Sequence, residues 1–310
     1  MITKRIIKSP GYTLFCALLG LMFASQGCST AAREFDVQAA DVKLHGRIAG
    51  NSKSGCVLIG INGGPGLTSN YMLDLERLAG PDCAIVTYDH RGLGKSSWPT
   101  NPDSPNSYTL LKYAWDVEAI RLKFGVERVH LFGHSFGGIV AMQYAILFPD
   151  KVASLVFFGG GPPTWEDIGI CDQSMSTRVL ALMQSGVIPP PSEGANFGVE
   201  QILPAYFSDP TFTFPEDSLG GPPDFSQKVR DLTWTNLAGM DFGGELAKLR
   251  LPVLLMWGRD DPFNIVTAEK TRDALVNSQV DYVVIEHCGH FWHECPDKFY
   301  PRVREFLLKK

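Results

Sequence analysis

Six short apolar runs separated by helical patterns constrain the fold of this chain more than any other feature. The runs are rich in β-branched residues and lie at residues 55–61, 83–89, 128–133, 152–159, 252–258 and 280–286. Near-continuous apolar character is typical of strands that are buried on both faces of a parallel sheet. Since helical stretches alternate with the runs, the sequence predicts an α/β fold with a mostly parallel, doubly wound sheet.

The segments around these runs extend the predicted layout. Residues 33–50 alternate apolar and polar side chains, which indicates an antiparallel hairpin at one edge of the sheet. Helical patterns cover residues 108–125, 136–150 and 299–310, and the first of them ends at a glycine. The sheet is therefore expected to have helices on both faces.

Residues 160–248 interrupt this alternation. The segment contains the Pro- and Gly-rich stretches GGGPP, IPPPSEG and LGGPPD, with helical pieces between them. Connections in α/β units are usually about 2 to 6 residues long. We therefore predict an inserted, mainly helical cap at 160–248, with the α/β core formed by residues 35–159 and 249–310.

The sequence GHSFGG places Ser135 between a predicted strand and a predicted helix. A serine on a sharp strand-to-helix turn is strained and exposed, and its neighbours must be small. Gly133 and Gly137 meet that requirement, and Gly138 allows the helix to approach the sheet. Gly-x-Ser-x-Gly alone is a weak signal, but this position predicts that Ser135 is a catalytic nucleophile.

A serine nucleophile needs a histidine base that is held by an acid, and both should follow in loops after later strands. The loop after the run 252–258 contains Asp261, our predicted acid, with Asp260 as the alternative. The loop after the run 280–286 contains His290, our predicted base. His287 and His293 lie in the same loop and stay open as alternatives.

The oxyanion of an acyl-transfer reaction needs hydrogen-bond donors. The backbone N–H of Phe136, the residue after Ser135, is the first candidate. The second should come from the loop NGGPG after the first run, where we choose Gly64, with Gly63 as the alternative.

The N-terminus has the pattern of an export signal. Lys4, Arg5 and Lys8 precede an apolar stretch at residues 11–24, which is shorter than the roughly 20 residues that span a bilayer. Small residues follow, and we exclude residues 1–28 from the fold. Cys28 lies where a lipoprotein signal would place its lipidated cysteine, although Ser25 replaces the usual leucine. We expect export, either as a periplasmic or membrane-anchored lipoprotein or, after cleavage of a plain signal, as a secreted protein.

Charge and cysteine content narrow the set of partners. The net charge is −5 and no long basic block follows the N-terminus, so we expect no nucleic-acid partner, and membrane contact only through a lipid at Cys28.

Cys56 and Cys83 each begin a run, so a disulfide can form if those strands are parallel neighbours. Two small buried residues are the alternative. No metal-ligand or dinucleotide fingerprint is evident, and we expect neither a metal nor a cofactor.

Taken together, these motifs resemble those of the α/β-hydrolases over residues 35–310. NGGPG and YDHRGLGKSS are similar to the proline iminopeptidase branch, which usually has His at the position of Asn62. The resemblance implies a catalytic Ser135, Asp261 and His290 and a structural role for Asp89 and Arg91. It also implies that cap carboxylates bind the substrate amine; the candidates in this chain are Glu166, Asp167, Glu193, Glu200, Glu216 and Glu245.

The predicted function is therefore a secreted serine hydrolase, an aminopeptidase of the proline iminopeptidase type that forms an acyl-enzyme on a small peptide. The alternative is a carboxylesterase or lactonase that acts on small esters with the same triad. An epoxide hydrolase or dehalogenase is disfavoured because those relatives have Asp at the position of Ser135. A catalytically inactive binding scaffold is a further class, which the intact triad opposes.

Overall fold

The computed structural model describes residues 31–191, 199–215 and 221–309. The predicted export signal, including Cys28, lies outside these residues, so export and lipidation stay predictions. None of the helices in the described part of the chain is long and apolar enough to cross a membrane.

Within the described residues, eight strands form one sheet in the order β1-β2-β4-β3-β5-β6-β7-β8. The strands are β1 (Arg33–Ala39), β2 (Val42–Ala49), β3 (Val57–Ile61), β4 (Ala84–Tyr88), β5 (Val129–His134), β6 (Val152–Phe158), β7 (Pro252–Gly258) and β8 (Gln279–Ile285). The first two form an antiparallel edge hairpin, and β3 to β8 pair in parallel. This confirms the predicted fold class.

Helices lie between the strands and at the end of the chain. They are α1 (Leu110–Phe124), α2 (Phe136–Leu147), α3 (Trp165–Gln184), α4 (Val199–Ile202), α5 (Gln227–Trp234), α6 (Gly243–Leu246), α7 (Ile265–Ala274) and α8 (Pro296–Leu308). The side chain of Thr109 accepts a hydrogen bond from the N–H of Lys112 at the start of α1, and Gly125 ends that helix with a φ of 64°. The hydrogen bond at Thr109 and the backbone conformation of Gly125 therefore define the two ends of α1.

The core lies on both faces of the sheet, as a parallel sheet requires. All five residues of β3 are buried, and the alternation of the strand sends neighbours to opposite sides. Ile59 belongs to the apolar cluster that packs under α1 and α2, whereas Leu58 belongs to the cluster that includes Phe299 of α8. The apolar runs therefore reflect burial on two faces.

The strand order places an opening at the carboxyl ends of β3 and β5. From β3 the chain moves to β4 on one side, and then returns to β5 on the other side of β3. Ligands of open α/β sheets bind at such a reversal, because the loops on either side of it separate. The loop 62–66 follows β3 and Ser135 follows β5, so both lie at this point.

The segment between β6 and β7 contains α3 to α6, and several of its residues line a cavity together with Ser135 at this edge of the sheet. It is joined to the core by a hydrogen bond between the Tyr113 and Thr233 hydroxyls and by an isolated bridge between Leu67 and Phe225. The segment is the mainly helical cap that the sequence predicted. Its exact limits, residues 160 and 248, stay predictions.

The loop after β4 is structural, as the sequence suggested. Arg91 is fully buried and donates two hydrogen bonds to Asp116 on α1, at 2.8 and 2.7 Å. It also donates to Asp41 in the edge hairpin and to the carbonyl of Ser107. One guanidinium therefore ties the hairpin, the loop and α1 together.

Two disulfides occur in the described part of the chain. Cys56 and Cys83 form a disulfide next to the first residues of β3 and β4, which pair in parallel. This agrees with the disulfide that the sequence left open for these two cysteines. Cys288 and Cys295 form a second bond that encloses His290, and the sequence reasoning missed it. A loop of this kind loses conformational freedom, which restricts the positions of the histidine between the two cysteines.

Candidate active site

Ser135 lies on a strained turn between β5 and α2. Its φ of 53° and ψ of −124° are unfavourable for a residue with a side chain. The turn allows α2 to approach β3 very closely, since a Cβ atom on Gly137 would lie 1.9 Å from the carbonyl oxygen of Ile61. The predicted need for glycine around Ser135 thus has a direct steric cause.

Asp261 and His290 form a buried pair in the loops after β7 and β8. The Oδ2 atom of Asp261 lies 2.8 Å from Nδ1 of His290, and its Oδ1 atom accepts a hydrogen bond from the N–H of Phe263. Gly159 makes room for the pair, because a Cβ there would lie 2.8 Å from the same His290 nitrogen. The carboxylate fixes the ring so that Nε2 is the nitrogen left for a substrate or a nucleophile.

The alternatives that the sequence left open have other contacts. Asp260 accepts a hydrogen bond from the hydroxyl of Ser208 in the cap, at 2.7 Å. His293 is buried behind the site, where its Nε2 contacts the carbonyl of Tyr71 at 3.1 Å. His287 is exposed. Of the two acids and three histidines, Asp261 and His290 are the ones in contact.

Ser135 and His290 line the same cavity under the cap. No hydrogen bond joins their side chains in the described structure. Catalytic hydrogen bonds are often long in unliganded proteins and shorten when substrate binds. The arrangement therefore brings the predicted nucleophile and base to one cavity without a direct bond between them.

The loop 62–66 distinguishes between the two candidate oxyanion donors. The N–H of Gly63 donates to the hydroxyl oxygen of Tyr71 at 2.6 Å, so this donor is already used. Gly64 lines the cavity beside Ser135, and so does Phe136 at the start of α2. Asn62 holds the loop by donating to the carbonyl of Leu67 at 2.6 Å.

A buried hydrogen-bond chain joins this loop to the histidine loop. Nε2 of His134 lies 2.9 Å from the carbonyl oxygen of His290, which can only accept, so Nε2 bears the hydrogen. Burial holds the pKa of His134 well below its usual value, and the ring is neutral. Its Nδ1 atom therefore accepts from the Tyr71 hydroxyl at 2.8 Å, while that oxygen accepts from Gly63. The sequence reasoning missed both His134 and Tyr71.

The cavity has two adjoining recesses that share Gly64, Ser135 and Phe263. We call them the α3 lobe and the histidine lobe. The α3 lobe is lined by Phe136, Ile139, Ile168, Cys171, Asp172 and Trp234. The histidine lobe is lined by Leu203, Tyr206, Phe225, Arg230, His290 and Phe291. Each lobe is mainly apolar and contains one charged residue from the cap.

Of the cap acids that the sequence singled out, the four that lie within the described residues do not line either lobe. Asp167 is paired with Lys270, and Glu166, Glu200 and Glu245 are exposed. Glu193 and Glu216 lie outside the described residues. Asp172 of α3 is also solvent-exposed, but it does line the α3 lobe. The residue before it, Cys171, is buried and lines the same lobe, so Asp172 lies at the border between the buried and exposed faces of α3.

The described residues contain no group of three or more His, Cys, Asp or Glu side chains that could hold a metal ion. The groups that line the cavity in the described structure include the Ser135 hydroxyl, the His290 imidazole, the Asp172 carboxylate, the Arg230 guanidinium and backbone donors. This set fits nucleophilic acyl transfer.

Comparison with known protein families identifies the family of this chain. The sequence pattern of the alpha/beta hydrolase fold matches residues 57–294. The chain belongs to the α/β-hydrolase family. Among curated members of this family, a proline iminopeptidase of Lactobacillus crispatus is 26% identical over 286 residues, covering 84% of this chain and 93% of that protein.

One further sequence and one solved structure show which other hydrolases this chain resembles. A 2-hydroxy-6-oxononadienedioate/2-hydroxy-6-oxononatrienedioate hydrolase of Burkholderia vietnamiensis is also 26% identical and covers 87% of this chain and 92% of that protein. The crystal structure of a Mycobacterium smegmatis proline iminopeptidase superposes with a TM-score of 0.66 at 18% identity, over 89% of this chain and 97% of that one. The chain thus resembles proline iminopeptidases within a family of varied hydrolases.

Substitution of Tyr71 by Phe tests the hydrogen-bond chain behind the site. The change leaves the Gly63 N–H and the His134 Nδ1 without their partner, so we expect a loss of about 1–3 kcal/mol in stability. We also expect Ser135 to react roughly tenfold more slowly with a fluorophosphonate. A rise of about 1.4 kcal/mol in the activation free energy, caused by poorer positioning of the hydroxyl, would have that effect. Tyr144→Phe is the matched control, since that buried hydroxyl binds Glu118 away from the cavity. Labelling of Tyr71→Phe at the wild-type rate would contradict this role.

Proposed function

We propose that this chain is a serine aminopeptidase of the proline iminopeptidase type. One observation supports the proposal most: His290, which is bonded to Asp261, and the strained Ser135 line a cavity whose α3 lobe contains a carboxylate. The similarity to curated proline iminopeptidases over most of the chain agrees with it.

The proposed reaction proceeds through an acyl-enzyme. Nε2 of His290 removes the proton of the Ser135 hydroxyl as Oγ forms a bond to the substrate carbonyl carbon. The N–H groups of Phe136 and Gly64 stabilise the resulting oxyanion. His290 then gives the proton to the leaving amine as the C–N bond breaks. The same ring then deprotonates a water molecule, whose oxygen forms a bond to the acyl carbon. The bond between that carbon and Oγ breaks, His290 returns the proton to Oγ, and the free acid is released.

Asp172 is the proposed partner of the substrate's free amine. It lies in the α3 lobe with Phe136, on the side where the acyl part of a substrate contacts the oxyanion donors. Ile139, Ile168 and Trp234 provide an apolar surface there that suits a compact ring such as proline. Burial raises the pKa of Asp172, and a bound ammonium group would favour its ionised form.

We also infer export. The N-terminal pattern of residues 1–28 supports it, and so do two disulfides, because disulfides persist in oxidising compartments. The mass of the protein recovered from periplasmic and membrane fractions tests this inference. A cytoplasmic protein that keeps Met1 would contradict it, and a lipid on Cys28 would identify the anchored form.

The role of Asp261 can be separated from that of its neighbour Asp260. We expect Asp261→Asn to lower kcat by roughly 10³- to 10⁴-fold, because an amide cannot stabilise the imidazolium or the required tautomer. Asp260→Asn is the matched control and should retain kcat within a few-fold, since Asp260 binds Ser208. Ser135→Ala should abolish turnover and fluorophosphonate labelling. Equal losses for the two Asn variants would contradict the assignment.

A comparison of a proline arylamide with a short acyl ester tests the substrate class. We expect the arylamide to be the better substrate by kcat/KM, and we expect Asp172→Asn to raise its KM by at least roughly tenfold, because one charge-assisted hydrogen bond contributes about 1.5–3 kcal/mol. Glu166→Gln, an exposed acid on the same helix, is the control. Rapid ester turnover with negligible arylamide turnover would instead favour the carboxylesterase or lactonase alternative.

A further inference from the structure

Arg230 introduces a positive charge into the histidine lobe. It lies on α5 in the cap and lines this lobe together with Ser135 and His290. Its side chain is 43% exposed, so the guanidinium stays hydrated and can receive a ligand. A cation beside a serine and a histidine is not required by acyl transfer itself, and it needs another explanation.

The contacts of Arg230 within the described structure leave its guanidinium available. Its one carboxylate contact there is with Asp231, the next residue, at 3.4 Å in an exposed position. Exposed pairs of this kind contribute about 0–1 kcal/mol. The same Asp231 oxygen already accepts a 2.6 Å hydrogen bond from Gln227. The carbon Cζ of Arg230 lies 5.8 Å from the ring centre of Trp234, so the side chain rests on a residue of the α3 lobe.

Arg230 is electrostatically coupled to the cavity. Burial raises the pKa of Asp172, and the Arg230 guanidinium opposes that rise. Burial likewise raises the pKa of Tyr206 to about 12, again with opposition from Arg230. The guanidinium therefore acts on one residue of each lobe, since Asp172 lines the α3 lobe and Tyr206 lines the histidine lobe.

In the proposed reaction the two lobes would receive the parts of the substrate on the two sides of the scissile bond. Phe136, the proposed oxyanion donor, lines the α3 lobe, whereas His290, which would protonate the leaving amine, lines the histidine lobe. The acyl residue with its free amine therefore belongs in the α3 lobe beside Asp172. The leaving residue belongs in the histidine lobe beside Arg230.

We propose that Arg230 binds the free C-terminal carboxylate of the leaving residue, so that the preferred substrates are dipeptides. This inference rests on the proposed aminopeptidase function. Two residues span about 7 Å, and the two lobes adjoin at Ser135, so a dipeptide attacked there would place its amine in the α3 lobe and its carboxylate in the histidine lobe. The planar guanidinium suits a carboxylate because it can donate two parallel hydrogen bonds. A longer peptide would place an uncharged amide at Arg230 and would lose this interaction.

The test compares Pro-Gly with its amide, Pro-Gly-NH2, by kcat/KM. We expect the wild-type protein to prefer the free acid by at least about tenfold, the effect of one charge-assisted contact. Arg230→Met should reduce this preference to within about twofold, and Arg230→Lys should give an intermediate value. Lys228→Met is the matched control, because Lys228 on the same helix pairs with Asp103 outside the cavity and should keep the wild-type ratio.

Each outcome has a distinct meaning. Equal turnover of acid and amide by the wild-type protein, or a preference that survives Arg230→Met, would overturn the role of Arg230 and leave the aminopeptidase proposal intact. If neither peptide nor a proline arylamide is hydrolysed while a short ester is, both proposals fall. Thermal unfolding of each variant shows whether Arg230→Met folds. If it does not, the comparison of acid and amide with the wild-type protein tests the proposed preference by itself.

Discussion

The close approach of α2 to β3 is the constraint on which the rest of the site depends. A side chain at Gly137 would overlap the carbonyl oxygen of Ile61, so the helix can pack here only with glycine. This packing forces Ser135 into its strained turn, at the point where β3 and β5 separate. It also brings Gly64 and Phe136 to the same serine. One steric condition thus positions the hydroxyl and both candidate oxyanion donors.

The interior behind Ser135 is polar, and several of its groups are paired, although Asn62 Oδ1 and His293 Nδ1 have no hydrogen-bond partner within the described structure. Gly63, Tyr71, His134 and the carbonyl of His290 form one directed chain of hydrogen bonds, and the neutral state of His134 fixes the direction. Buried networks of this kind restrict geometry when their members are paired. The chain links three loops that are distant in sequence. The Cys288–Cys295 disulfide restricts the last of them further.

The cap gives the cavity its chemical character. Both lobes are mainly apolar, but Asp172 lines one and Arg230 lines the other, and Ser135 belongs to both. A purely apolar cap would suit the acyl or alkyl chain of an ester. Two opposite charges suit a zwitterion, and this difference motivates the dipeptide proposal. The same core in related hydrolases supports other substrates, since the fold fixes the nucleophile and leaves recognition to the inserted segment.

The sequence by itself determined the strands, the hairpin, the sheet class and the turn at Ser135, because apolar runs and glycine spacing are local consequences of burial and backbone sterics. It also limited the acid to two neighbours and the base to three histidines. Only the tertiary structure decided that Asp261 contacts His290, that Gly63 is already bonded, and that Asp172 and Arg230 line the cavity. These facts depend on which side of a loop or helix meets residues far away in the chain, and no local pattern records that.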